Sequence, residues 1–207
     1  MLKKKEIKLV IFDIGKVILD FDHMITCNKL AKYSKKDAHY IYDFIFNSRM
    51  LDEYERGEIS SMEMFCAISG ELSLDISFEK FKEIWSNIFT LKEGMEQLIY
   101  WVKTLTKIAV LSNTDEMHFE DIKDKVGVIK DFDWLFLSHE AGHRKPEKEI
   151  FEYAINKTGI SPDNIIFIDD IGEFVEAAGK LGITGILYKD IITLKKDLEF
   201  YLDKIAQ

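Results

Sequence analysis

The sequence predicts an α/β protein, a Rossmann-like doubly wound parallel sheet interrupted by an inserted α-helical cap. Three observations predict it. Short runs such as Leu9 to Phe12, Ile108 to Leu111 and Ile165 to Ile168 are apolar on both faces, as strands buried between helices must be. From Gly94 onward such runs alternate with helical patterns, the arrangement of right-handed βαβ crossovers. Between about Asp20 and about Phe89 the alternation stops, and only helical patterns occur.

The first strand ends at Asp13, with Gly15 two places on. Helical patterns then run over Met24 to Tyr33, Lys36 to Asn47, Ser61 to Ser69 and Phe78 to Ile88, with apolar residues at three- and four-residue intervals. Gly57 breaks the pattern, and Ser60 with Glu63 forms a capping box for the third helix. Phe44, Phe46, Phe65, Phe78, Phe81 and Trp85 fall at helical spacing and read as the core of a small bundle. Met95 to Leu105 is an amphipathic helix, and Lys107 to Thr114 is a second apolar strand that ends in polar residues. A short helix over Asp121 to Val126 precedes a third strand, Trp134 to Ser138, and Lys148 to Thr158 is a helix with Pro146 near its start. After a turn at Ser161 to Asn164 comes a fourth strand, Ile165 to Asp170, acidic at its tip. A helix over Gly172 to Leu181 closed by Gly182, a strand over Gly185 to Tyr188 and a helix over Leu194 to Ile205 complete the chain. The expected division is a core of residues 1–19 and 90–207 with a helical cap over 20–89, placed by the topology above the carboxyl ends of the strands.

The chain has 207 residues, 47% hydrophobic and 31% charged, enough for a core with a smaller insertion. A formal charge of −9 argues against nucleic acid or an anionic membrane as a general partner, while leaving room for a small anion in a local positive pocket. No obligate protein partner is evident. Cys27 and Cys66 lie in helical segments without metal-site spacing and read as reduced core or near-core residues. The basic N-terminus leads into a strand where an export signal would need an apolar region, and no run approaches the roughly 18 residues that span a bilayer. The expected location is cytoplasmic.

Parallel strands bring their polar ends together: Asp13, then Ser112 and Asn113, then Lys145 in a loop, then Asp169 and Asp170. Three converging carboxylates repel one another unless a cation relieves them, and Mg²⁺ is the hard cation that oxygen ligands of this kind hold. The lysine would hold an attacking carboxylate or an anionic oxygen, and Ser112 and Asn113 would donate to a phosphate.

These residues resemble the signatures of the haloacid dehalogenase-like (HAD-like) hydrolase superfamily. Phe12-Asp13, Leu111-Ser112-Asn113-Thr114, Arg144-Lys145-Pro146-Glu147 and Phe167-Ile168-Asp169-Asp170 match its four motifs in order. Phe12 to Ile18, Arg56 to Ser60 and Gly142 to Pro146 are similar to the helical-cap subgroup that includes glucose-1-phosphate phosphatase and the phosphatase domain of soluble epoxide hydrolases. The resemblance implies a phosphoric monoester hydrolase in which Asp13 attacks phosphorus to give an aspartyl-phosphate that water then hydrolyses. It also implies Mg²⁺ on Asp13, the Gly15 carbonyl, Asp169 and Asp170, with Asp170 the more direct of the pair, and a small phosphorylated metabolite, such as a sugar phosphate, as substrate.

Two positions depart from the pattern. Gly15 stands where the family's phosphatases usually carry an aspartate that protonates the leaving oxygen, and Phe174 stands where the subgroup often has asparagine. Asp22 and His23 are candidate substitutes for the missing acid, although His23 reads first as a surface residue; Arg144 reads as a solvated neighbour of Lys145, His139 and His143 as loop residues, and Asp115 and Glu116 as helix caps. Two other functions are compatible with glycine at position 15: a metal-independent 2-haloacid dehalogenase and a non-catalytic phospho-ligand-binding protein.

Overall fold

A computed structural model of the chain describes residues 6–202. After β1 (Leu9–Phe12) a tight turn leads into β2 (Leu19–Phe21), and helices α1 (His23–Leu30), α2 (Ala38–Phe46), α3 (Arg49–Glu55), α4 (Ser61–Leu72) and α5 (Phe78–Ser86) follow. β3 (Phe89–Leu91) pairs antiparallel with β2, so the helical segment leaves and rejoins the rest of the chain through a two-stranded ribbon. The alternating part comprises α6 (Met95–Leu105), β4 (Lys107–Ser112), α7 (Glu116–Lys125), β5 (Trp134–Leu137), α8 (Ser138–Ala141), α9 (Lys148–Thr158), β6 (Ile165–Asp169), α10 (Gly172–Lys180), β7 (Thr184–Leu187) and α11 (Ile191–Leu202).

The main sheet has five parallel strands in the order β5-β4-β1-β6-β7. β1 is central, and the chain builds outward from it first to one side and then to the other. That reversal is the topological switch point at which ligands bind in doubly wound sheets. Side chains alternate across the sheet: Val10, Phe12, Ile108, Val110, Ile166 and Ile168 pack with α6, α7 and α11. Leu9, Ile11, Ala109, Leu111, Ile165 and Phe167 face α9 and α10 on the other side. Strands buried on both faces in this way have no polar alternation to display, which is why they read as continuous apolar runs.

Helices α1–α5 gather around a cluster of their own, with Trp85, Phe81, Tyr54, Ile41, Ile45 and Leu30 fully buried in it. Ser60 and Glu63 form the expected capping box at the start of α4. Several features differ from the sequence-based expectation. The short β2–β3 ribbon and α3 went unforeseen, and α7 begins earlier than expected, at Glu116, because Asp115 caps it by accepting from the His118 N–H. Cys27 is buried as expected, whereas Cys66 sits on the exposed side of α4, so the near-core reading fails for it. The final helix starts at Ile191, and the expected continuation over 203–205 lies outside the described residues. Among the described residues no helix is long and apolar enough to cross a membrane.

The helical segment is fastened to the core at two places. On one side Trp85 Nε1 donates to both Asp115 carboxylate oxygens at 3.3 Å, Ser86 Oγ donates to the Met117 carbonyl at 2.9 Å, and Ser61 Oγ donates to Glu116 at 2.5 Å. On the other, Arg56 makes a bidentate pair with Glu147, and Arg144 pairs with Asp52 and Glu55 of α3. Next to Arg56 lies Gly57, at φ +70°, where a Cβ would run into the His139 carbonyl oxygen. A left-handed conformation alone costs a non-glycine residue about 1–2 kcal/mol. Gly57→Ala should therefore lower stability by more than that, read as a lower urea midpoint with an unchanged slope; an unchanged midpoint would show that this seam yields.

Candidate active site

Three adjacent strands deliver the site. Asp13 follows β1 and continues its ladder by donating its N–H to the Ile168 carbonyl at 2.9 Å, while Ser112 ends β4 and Asp169 ends β6. All three are buried. Lys145, only 4% exposed, enters from the loop between α8 and α9 and places Nζ 2.7 Å from Asp13 Oδ1 and 2.6 Å from Asp169 Oδ2. The rings of Phe174 and Phe167 flank that ammonium, with centroids 5.2 and 5.5 Å away. The side chain at Phe174, a departure in sequence, is thus an aromatic wall for the lysine.

The charges do not balance. Two buried carboxylates share one ammonium, and burial pushes the Asp13 carboxyl up to about 6; Lys145 pulls it down, and Asp169 raises it further. Burial opposes the charge on Lys145, but Asp13 and Asp169 outweigh it and hold the ammonium above the ordinary lysine value. Asp170 is partly exposed and is also raised, by burial and then by Asp169. Asp13, Asp169 and Asp170 each offer a carboxylate oxygen within 4.8 Å of one another. An all-oxygen donor set carrying excess negative charge fits a hard divalent cation.

Position 15 is crowded. A Cβ on Gly15 would stand 3.8 Å from Asp13 Oδ2 but only 2.9 Å from Cε1 of Phe21, so the space of the missing acid is filled by a ring. Phe21 also lines a cavity of about 440 Å³, together with Lys16, Asp22, His23, His39 and Tyr42 among others. His23 is half-buried and not a plain surface residue. Its ring stacks on Phe46 at 4.0 Å, and burial, then His118, push its pKa down to about 4, so it is neutral at pH 7 and is no ready proton donor.

Other assignments shift as well. The side-chain amide of Asn113, expected to donate to phosphate, pairs with the backbone of Lys145 through Oδ1 and one Nδ2 hydrogen. Asp115 is more than a cap: it is fully buried and lies 2.6 Å from His118 Nδ1. Burial works against both charges, yet each favours the charged form of the other, with Asp115 below and His118 above its ordinary value. Arg144 is no solvated neighbour of Lys145, because Asp52 and Glu55 engage it. His139 Nδ1 meets the Thr114 carbonyl at 2.9 Å, so it too is structural.

A family model described as haloacid dehalogenase-like hydrolase matches residues 7–182. D-ribitol-5-phosphate phosphatase of Bacteroides thetaiotaomicron is 26% identical over 184 residues, which are 85% of this chain and 89% of that protein. Flavin mononucleotide hydrolase 1 of Arabidopsis thaliana is 30% identical over 152 residues, 70% of this chain and 59% of that protein. Among solved structures, a HAD family enzyme of Bacteroides thetaiotaomicron in complex with magnesium and inorganic phosphate superposes with a TM-score of 0.82 at 23% identity, covering 91% of this chain and 98% of that one. The L-2-haloacid dehalogenase of Xanthobacter autotrophicus gives a TM-score of 0.63 at 17% identity over 93% of this chain and 82% of that one, a likeness of fold.

Proposed function

The chain belongs to the haloacid dehalogenase-like hydrolase family, and from that premise we propose that it is a Mg²⁺-dependent phosphatase acting on a small phosphorylated metabolite through an aspartyl-phosphate. The observation that carries the reading is the buried Asp13 carboxylate at a strand tip, held by the Lys145 ammonium that also grips Asp169. An Asp13 oxygen attacks phosphorus, the ester P–O bond breaks, and the leaving oxygen carries the electron pair away. Water then attacks the same phosphorus and frees Asp13 and inorganic phosphate, so one difficult displacement becomes two easier ones. The Ser112 hydroxyl, buried at the neighbouring strand end, donates to a phosphoryl oxygen.

Asp13, the Gly15 carbonyl, Asp169 and Asp170 would hold the Mg²⁺, which supplies positive charge against the phosphoryl oxygens. Both Asp169 oxygens already accept hydrogen bonds, from Lys145 Nζ and from the Ile171 N–H at 2.9 Å. The partly exposed Asp170 is therefore the more direct ligand of the pair. The helical segment 23–86 serves as the cap, and its cavity beside Phe21 receives the leaving group.

With Gly15 in place of an acid, and Phe21 in its space, the leaving oxygen departs without the help that a general acid gives, typically about 10²–10⁴-fold. Two results follow. Purified protein should release phosphate from aryl phosphates faster than from alkyl phosphates of the same charge, and EDTA should abolish both activities until Mg²⁺ is restored. Failure to release phosphate from an aryl phosphate and from a panel of sugar and sugar-alcohol phosphates would remove the reading. Turnover of a 2-haloacid that survives EDTA would replace it with dehalogenation.

A further inference from the structure

We propose that Asn113 is a positioning residue that sets the reach of Lys145, and not a phosphate ligand; the proposal rests on the phosphatase reading above. Its side chain spends an acceptor and a donor on the backbone of one residue: Oδ1 accepts from the Lys145 N–H at 2.8 Å, and Nδ2 donates to the Lys145 carbonyl at 3.0 Å. A flat amide carries the acceptor and donor of a strand neighbour on a short stem, so it can pair with a backbone residue as a strand would. Lys145 belongs to a loop and has no sheet partner, and Asn113 supplies the missing pairing from the end of β4.

The reverse clasp lies one residue on. Ser138 Oγ accepts from the Thr114 N–H at 2.9 Å and donates to the Thr114 carbonyl at 3.0 Å. Thus the segment after β4 grips the lysine loop by a side chain, and α8 grips the segment after β4 in the same way. The object of this double clasp is the Lys145 ammonium, which must meet Asp13 and Asp169 at once within a buried space. A misplacement of about 1 Å at such a centre can lower turnover on the order of 10²-fold.

The two roles of Asn113 separate in kinetics. If it positions Lys145, Asn113→Ala should lower kcat on an aryl phosphate by roughly 10–100-fold while the inhibition constant of inorganic phosphate moves less than about threefold. Asn113→Asp keeps the acceptor for the Lys145 N–H but turns a second acceptor toward the Lys145 carbonyl, so its kcat should fall at least as far as that of Asn113→Ala; this variant also serves if the alanine form melts below assay temperature. A phosphate ligand would behave otherwise: the aspartate would repel phosphate and raise its inhibition constant more than the alanine does, with kcat little changed. That pattern, or a kcat of Asn113→Ala equal to wild type, overturns the proposal while leaving the phosphatase reading intact. A wild-type protein without phosphatase activity overturns both.

Discussion

Asp13→Asn is expected to remove turnover, on the order of 10⁴-fold or more as for other lost nucleophiles, and at the same time to make the metal-free protein more stable at pH 7. The first effect follows from chemistry, since an amide cannot form the aspartyl-phosphate. The second follows from the charges. Asp13 and Asp169 share the single Lys145 ammonium, and the asparagine leaves one buried carboxylate to one buried ammonium. The sign is fixed by the direction of the shift. The folded-state carboxyl is raised from 3.8 to about 6, so its ionisation opposes folding; wild-type stability declines as pH rises from about 4 to about 6 and stays lower above. The variant lacks that decline. Thermal melts in EDTA across pH 4–8 should show the two proteins converging at the acid end and the variant melting higher at pH 7. Mg²⁺ should raise the wild-type midpoint at pH 7 and do so far less for the variant. A variant that melts below wild type at pH 7 without metal would mean that the carboxylate is not strained, and retained turnover would dismiss it as nucleophile.

A destabilised, charge-rich strand end is the kind of feature that sequence displays well, because it breaks a rule. An aspartate closing an apolar run is conspicuous, and so is an acidic pair after Ile165 to Ile168. The central strands were legible for the same reason: burial on both faces leaves an uninterrupted apolar run. The β2–β3 ribbon was not legible, since three residues per strand are too few to show a period. The seam between the helical segment and the core was hidden by distance along the chain. Arg56 and Glu147 are 91 residues apart, and nothing local to Arg144 tells that Asp52 and Glu55 will neutralise it. His23 was misread because its burial comes from Phe46 on another helix. Asn113 was read by residue type, as a donor beside a phosphate site, whereas its partner is a backbone 32 residues away. In each case a local pattern gave the residue's element, and a long-range contact gave its task.

Lys145→Met tests that same buried centre from the opposite side. The lysine is buried, and its ammonium is held above the ordinary value by Asp13 and Asp169, so the stability it contributes is fully present at pH 7 and would be lost only as pH rises through the folded-state value. Methionine keeps most of the stem and its contact with the Phe174 and Phe167 rings, so the change isolates the charge. Removing one partner of a buried ion pair costs about 3–5 kcal/mol, because it leaves uncompensated charge in a dry site. Here two carboxylates are left. The loss should therefore be largest at neutral pH and shrink on acidification, as Asp13 takes up a proton. Mg²⁺ should restore part of the melting temperature, since a divalent cation on the same carboxylates also relieves their repulsion, but it should not restore turnover, because nothing then holds the Asp13 oxygen in line. Asp13→Asn combined with Lys145→Met should be more stable than Lys145→Met alone in EDTA at pH 7, one buried charge fewer being left without a partner. If the double variant proves the weaker of the two, the repulsion between Asp13 and Asp169 does not govern the fold, and the case for strain at the nucleophile fails with it.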